Sequence, residues 1–456
     1  MDVFEGFPTE KLPGWKVSPM ASGWRVGAAI QYIVKQHGKA IAIYLMGLCL
    51  FLGGRLAAYY LAPERFQLLP WDSGWYAGIV DFGYHYNGDP NLQQNVAFFP
   101  LFPMLGGLVK VIFGLSTAHS LLLTAFTLSL ITAVMLYQIF AKVCELANPG
   151  IALLFFFTNP FSLFLFSGYA DSAWICTIVL AIYFLEIKKN YLVSTIFINL
   201  ASLSRPYGIL AAAILFIFLA RRVWSFYRVE KQPTAAGVEL KNLFIFLPLT
   251  AVALLSYLIY SGIKFHDPLA FLHVQSAWHK DLSSPLSQLF QLNFLKYIVR
   301  ALIMQIPGKN ITLASPIWWD ALAALICFSW LLAFVIDSIY HGTFDIDSVV
   351  APALLINLFL WYFSRHEPWV AVVNAGRYFL PVYLGVLIWL FKSIKLNENI
   401  IISNRSSKER EDRRSSSSLP EKRLNYPMIL VIMLILGQSI LSVMFTVRFY
   451  WGEWIS

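Results

Sequence analysis

Trp71-Asp72-Ser73-Gly74-Trp75-Tyr76 sets one carboxylate between tryptophans, and Asn95-Val96-Ala97-Phe98-Phe99-Pro100 follows in the same stretch between apolar segments. Trp and Tyr belts mark a membrane–water boundary, but a belt has no use for Asp72. A carboxylate at that depth can take the proton from a hydroxyl that attacks a lipid-borne group. The plainer alternative is an exposed aspartate in a polar loop between belt aromatics. Arg205, between Ser204 and Pro206, lies in the middle of a long apolar run. It reads either as an anion-binding arginine at a helix break or as half of a structural salt bridge. Arg377 follows Asn374-Ala375-Gly376 and opens a helix with Tyr378. There it can bind phosphate with help from free backbone donors, or serve as an interfacial anchor.

Asp171 starts a helix after Gly168-Tyr169-Ala170, which suggests an N-cap; contact with substrate or metal is the other reading. In His266-Asp267-Pro268 the Asp-Pro pair initiates a turn, while His266 could touch substrate. His273 and His279 lack histidine or carboxylate partners at helical spacing, so no metal site and no cofactor is expected. His366-Glu367 beside Trp369 is loop decoration or part of a sugar site. Asn310-Ile311-Thr312 matches a glycosylation acceptor pattern.

The elements that must position these residues are membrane helices. The 456 residues are 58% hydrophobic and only 13% charged, against about 25% charged in a soluble domain. The pattern predicts an all-α polytopic membrane protein of about ten transmembrane helices. Apolar runs fall at 40–60, 119–141, 149–168, 171–187, 191–220, 242–262, 320–339, 348–363, 376–392 and 428–447. Alternating segments of the β-barrel kind are absent from the pattern. The run 97–114 carries Pro100, Pro103 and Gly106-Gly107 and is read as lying in the interface or dipping in and out of the membrane without spanning it. The run 191–220 is expected to break at Arg205-Pro206, because proline removes a helix donor and disfavours helix before it.

With a cytoplasmic N-terminal segment, 1–39, this threading puts most of the 34 Lys and Arg on the cytoplasmic side. It also sends every polar cluster named above to the opposite face. A core at 40–396 would then carry outer loops at 61–118 and 263–319, the latter with in-plane helices beside Trp278, Trp318 and Trp319. The charged, serine-rich stretch 397–427 reads as a disordered cytoplasmic linker, and 428–456 as a last membrane helix with an outer C-terminus. No cleavable signal peptide is read at the start, so 40–60 would act as its own insertion signal. The net charge of +9 lies in short connections and is no sign of nucleic-acid binding. Cys49, Cys144, Cys176 and Cys327 have no disulfide or zinc spacing.

The motif set then has a precedent. Trp71-Asp72, the run Asn95 to Pro103, Asn159-Pro160-Phe161, Gly168-Tyr169-Ala170-Asp171-Ser172, Ser204-Arg205-Pro206 and Gly376-Arg377-Tyr378 resemble, in the same order over about 40–395, the PIG-V-like mannosyltransferases. These are multi-spanning glycosyltransferases of the GT-C architecture, and their eukaryotic member adds the second mannose to the GPI anchor. Asn87-Gly88-Asp89-Pro90 and the stretch 262–269 look closer to prokaryotic relatives. The resemblance implies a polyprenyl-phosphate sugar donor, with mannose the expected sugar, and a glycolipid or cell-envelope glycan acceptor. Transfer would occur in the membrane lipid at the non-cytoplasmic face of a plasma membrane, an endoplasmic reticulum membrane being the alternative. Carried over, Asp72 is the general base, and Arg205 and Arg377 are the phosphate partners. Trp71, Trp75, Asn95, Tyr169, Asp171, His266 and Tyr378 then line the substrate site. An activated donor needs only acceptor orientation, proton removal and stabilisation of the leaving phosphate. One base suffices for inversion, whereas retention would call for a second carboxylate. The rival reading is a flippase or exporter of a lipid-linked sugar, which would place its polar groups at mid-membrane.

Overall fold

The computed structural model describes residues 22–205, 208, 211–278, 293–305, 312, 315–341, 376–377, 380, 382–388 and 426–453. Tyr378, His279, His366-Glu367, the run 348–363, the linker 397–427 up to residue 425 and most of the Asn310 motif lie outside these residues.

In lipid every backbone polar group must be satisfied within its own segment, and the described residues form helices and turns with no strand. In chain order they are α1 (Ser22–Leu61), α2 (Asp72–Phe82), α3 (Leu101–Phe113), α4 (Thr117–Lys142) and α5 (Pro149–Thr158), then α6 (Asp171–Glu186), α7 (Tyr191–Ser204), α8 (Ala212–Trp224), α9 (Pro233–Leu249) and α10 (Val252–Phe265). They continue as α11 (Ala270–His273), α12 (Asn293–Leu302), α13 (Pro316–His341) and α14 (Tyr426–Tyr450). Residues 376–377, 380 and 382–388 are helical as well.

Four helical stretches among the described residues are long and apolar enough to cross a membrane: Val34–Leu61, Thr117–Lys142, the α9–α10 pair Pro233–Phe265, and Val431–Tyr450. Their outer surfaces carry bare apolar side chains such as Phe244, Ile259, Ile263, Met433 and Ile440, as lipid-facing helices require. Several expected spans are shorter. The run 149–168 is no single helix: α5 stops at Thr158, because Pro160 brings no donor and the Asn159 side chain instead accepts from the Phe161 N–H, 2.9 Å. A 3-10 turn, Pro160–Leu165, follows. The N-terminal helix starts well before residue 40, at Ser22, and the run 242–262 is the latter part of the α9–α10 pair, which begins at Pro233.

The stretch 61–118, expected as an outer loop, contains helices of its own. It holds α2 and α3, and α3, at 13 residues, reaches only about 20 Å against about 30 Å of hydrocarbon. It buries Leu101, Phe102, Pro103 and Gly106 against α4 and leaves Met104, Leu108, Val111 and Phe113 bare. That is the pattern of a helix lying in the interface.

Small residues bring the long helices together, since lipid tails supply no hydrophobic drive between them. A Cβ on Gly54 of α1 would come within 2.7 Å of Thr446 on α14. Between them lies an aromatic core in which Phe51 meets Phe166 and Tyr450, and Phe164 meets Phe449. This core carries the turn 160–170, which in turn carries the site.

Candidate active site

Four motifs that are far apart in sequence meet at one end of these helices. The chain approaches α2 through Trp71, whose φ of 57° is in the left-handed region. That turn makes Asp72 the first residue of α2 and not a loop residue. The entry is held by Ser73, whose hydroxyl donates to the Pro70 carbonyl, 2.6 Å, and by Tyr169, whose hydroxyl accepts from the Asp72 N–H, 3.1 Å. Gly168, with φ of 77°, supplies the backbone turn that presents Tyr169.

Asp171 is the first residue of α6, and its side chain does not cap the helix. The N-cap expectation is corrected by its partners. Asp171 Oδ2 takes the Arg377 Nε–H at 3.0 Å and also Arg205 Nη2. Arg205 can reach it because α7 ends at Ser204 and the backbone at Arg205 is extended, as the following proline favours. Arg377 Nη1 then meets Asp72 Oδ2 at 2.7 Å. Its guanidinium also lies over the rings of Tyr169, 4.4 Å, and Phe164, 5.0 Å, so the aromatic faces add to its hold.

The result is a chain of alternating charge, Asp72–Arg377–Asp171–Arg205. Two carboxylates offset two guanidiniums, which is what burying ions demands, since each unpaired one costs several kcal/mol. Burial is graded along the chain. Asp171 is 2% exposed, Arg377 5% and Arg205 9%, but Asp72 is 28% exposed. Asp72 is the end that faces out, and its Oδ1 accepts no hydrogen bond among the described residues. Beside it, Trp71 Nε1 is buried with no acceptor among them.

Asp320 was not singled out by sequence. It is 1% exposed, and its Oδ1 accepts from the Gly376 N–H, 2.7 Å, so it fixes the chain immediately before Arg377. Its sequence signal is a lone carboxylate near the start of an apolar span. Both arginines serve as ion-pair partners here, which answers the salt-bridge alternative for Arg205 in the affirmative.

The remaining expected site residues divide. Trp75, one turn beyond Asp72 on α2, stacks on Phe98 at 5.7 Å and meets Trp278 edge-on at 6.2 Å. Asn95 is spent on its own loop: Oδ1 accepts from the His85 N–H, 2.8 Å, and Nδ2 donates to the Gly83 carbonyl, 2.9 Å. Tyr169 is buried, and its hydroxyl and ring are used on Pro70, Asp72 and Arg377. His266 is an exposed left-handed cap at the end of α10.

Next to it, Asp267 accepts from the Tyr86 hydroxyl at 3.1 Å and pairs with His273 Nδ1 at 2.8 Å. That bridge ties the 84–99 stretch to α11. Burial pushes the Asp267 carboxyl upward, but His273, the Leu269 N–H and Tyr86 outweigh it and hold it below the usual carboxylate range. On α2, the Lys110 ammonium and then the Thr117 hydroxyl likewise hold Asp81 low. No group of three His, Cys, Asp or Glu suited to a metal ion occurs among the described residues.

No protein-family model matches the chain, and no curated protein matches it either. Solved structures similar to this chain include the archaeal oligosaccharyltransferase AglB from Archaeoglobus fulgidus, in complex with an inhibitory peptide and a dolichol-phosphate. It is 13% identical, with a TM-score of 0.42 over 90% of this chain and 56% of that one. The Archaeoglobus fulgidus oligosaccharyltransferase in complex with Zn and sulfate is 13% identical, with a TM-score of 0.45 over 89% of this chain and 53% of that one. The chain thus spans little more than half the length of either, and scores this low assign neither fold nor activity.

Proposed function

We propose that the chain is an integral membrane glycosyltransferase of GT-C type, similar to the PIG-V-like mannosyltransferases. It moves mannose from a polyprenyl phosphate to a lipid-linked or cell-envelope glycan at the non-cytoplasmic face, with inversion. One observation carries the reading: Asp72 is anchored through Oδ2 to a buried arginine while Oδ1, at the outward end of the ionic chain, accepts no hydrogen bond among the described residues. A carboxylate fixed on one oxygen and free on the other is oriented to accept a proton. Such placement is a large part of general-base efficiency.

The acceptor hydroxyl loses its proton to Asp72 Oδ1 as its oxygen forms a bond to the sugar's anomeric carbon. The bond from that carbon to the phosphate oxygen breaks on the opposite side, and its electron pair leaves with the polyprenyl phosphate. The departing charge is met by Arg377, with Arg205 behind it, in a site whose buried surroundings make a fixed cation worth far more than in water. Asp171 holds both guanidiniums in place. In the resting arrangement it also balances their charge, so an arriving phosphate shares Arg377 with Asp72. The gathering of charge at one end of the helices supports a transferase over a transporter, which uses polar groups at mid-membrane.

The test is transfer by purified protein from a panel of polyprenyl-phosphate sugars to glycolipid and glycan acceptors, followed by mass spectrometry. The reading expects a glycosylated product with mannose as the preferred sugar. Absence of product with every donor, together with movement of intact lipid-linked sugar across a vesicle bilayer, overturns it in favour of transport.

A further inference from the structure

Arg55 lies in the membrane-crossing part of α1, before the helix ends at Leu61 by about 9 Å at 1.5 Å per residue. An arginine at that depth ordinarily pairs with an acid or with backbone carbonyls. Among the described residues Arg55 does neither. Its half-buried guanidinium lies over the rings of Tyr450, 5.2 Å, and Phe66, 5.9 Å. Those faces attract the charge, but they give the planar fork of N–H donors no oxygen to meet.

The side chain is held in a built setting. Phe66 stacks on Tyr450 with centroids 5.4 Å apart and 14° between planes, and Tyr59 meets Phe66 edge-on at 5.5 Å. The Gln67 N–H donates to the Tyr450 carbonyl, 2.9 Å. The other arginines nearby are already engaged: Arg65 and Arg448 both pair with Glu453, and Arg65 also lies over Trp451 at 5.1 Å. Glu64 is exposed on the same 3-10 turn, Pro63–Arg65, and forms no ion pair among the described residues. Three arginines thus share one engaged carboxylate, and Arg55 is the one it does not reach.

The surroundings identify the anion that completes the setting. One turn to either side of Arg55, Leu52 and Tyr59 are 42% and 49% exposed. Phe51, Gly54 and Ala58 are buried instead and meet Tyr450, Thr446 and Trp451 at the other helix. Arg55 therefore sits at the seam where α1 and α14 together face lipid. Farther from this end, Leu45 on α1 and Ile440 and Met444 on α14 are bare, a surface suited to acyl chains. A phosphate matches the guanidinium fork in bidentate fashion. The seam is separate from the ionic chain, because the ring contacts leading from Arg55 to Arg377 pass through Tyr450, Phe449 and Tyr169.

We propose that Arg55 binds the phosphate of a membrane phospholipid whose acyl chains lie along the seam between α1 and α14. The bound lipid braces the 63–67 turn, from which the chain runs to Asp72. The site does not depend on the transferase reading.

The experiment counts lipids retained by the purified full-length chain in native mass spectrometry, with melting temperatures taken alongside. The probes are phosphatidylglycerol, diacylglycerol with the same acyl chains, and a polyprenyl phosphate. Wild type should hold a single phosphatidylglycerol about tenfold or more tighter than diacylglycerol, and its melting temperature should rise only with the former. Arg55→Gln should weaken phosphatidylglycerol binding about tenfold or more and abolish that rise. Arg55→Lys should fall between, since an ammonium lacks the planar fork. Arg65→Gln removes the same charge from a residue already paired with Glu453 and should stay within about twofold of wild type. Equal binding by wild type and Arg55→Gln overturns the proposal. Equal losses in the two Gln variants also overturn it, identifying diffuse surface charge. Tighter binding of the polyprenyl phosphate than of phosphatidylglycerol, lost in Arg55→Gln, overturns the phospholipid assignment in favour of a substrate lipid. Should Arg55→Gln fail to fold, Arg55→Lys carries the test, and wild-type affinity in that variant overturns the proposal.

Discussion

Asp171→Asn tests whether the ionic chain is one unit. Asp171 is 2% exposed and its Oδ2 is shared by Arg377 and Arg205. Removing its charge takes one carboxylate from the two buried guanidiniums it joins, a net change of one buried positive charge. Breaking a buried pair from one side costs about 3–5 kcal/mol, and the Asn amide oxygen recovers one hydrogen bond of about 1 kcal/mol. The net loss expected is therefore about 2–4 kcal/mol. The measurement is thermal unfolding of purified protein in micelles, on wild type, Asp171→Asn, Arg205→Gln and the double variant. Each single variant should melt several degrees lower. The double variant restores neutrality around the surviving Asp72–Arg377 pair, so its loss should be smaller than the sum of the two by more than about 0.5 kcal/mol. Additive losses, or an Asp171→Asn melt within a degree of wild type, would show that the four residues are not coupled.

Two further outcomes follow from the same geometry. Arg377 reaches Asp171 through Nε and Asp72 through Nη1, a fork that lysine cannot reproduce, so Arg377→Lys should keep the charge yet raise donor KM about tenfold or more; wild-type KM in steady-state assays would contradict the fork. The Asp267 carboxyl is held low in the folded chain by His273, the Leu269 N–H and Tyr86 against the effect of burial. The stability this contributes is fully present above its unfolded value of about 3.9 and is lost as pH falls through the lower folded value. Hydrogen exchange at neutral pH should therefore quicken in both 83–99 and 270–278 on Asp267→Asn, and in wild type only on strong acidification; exchange unchanged in the variant would contradict the tether.

Much of this arrangement was legible in the sequence because membrane helices announce themselves by apolar run and charge flank. The break at Arg205 was legible from the proline that follows it, and α7 ends at Ser204. The convergence of Asp72, Asp171, Arg205 and Arg377 was foreshadowed by a threading that placed their motifs on one face. What escaped depends on pairing across hundreds of residues. No local pattern says that Asp171 leaves its own helix terminus uncapped to hold two arginines, or that Asp320 fixes the backbone at Gly376. Asn95 and Tyr169 were grouped with the substrate residues by position in a motif, whereas their polar atoms are consumed in building the loops that carry Asp72. The apolar run 149–168 hid its break because the stretch from Ile151 to Phe157 is unbroken and apolar, and Asn159-Pro160 carries the signal.

The central claim is that Asp72 is the base, and Asp72→Asn separates base from binder. Turnover and donor affinity should be measured on the same preparation, with wild-type and variant protein in nanodiscs and polyprenyl-phosphate mannose as donor. The amide keeps an oxygen for Arg377 but cannot take a proton. The account predicts kcat down on the order of 10²-fold or more, with donor affinity within a few-fold of wild type. Equal turnover by the two proteins would contradict it, and the base would have to be sought elsewhere on the outward face.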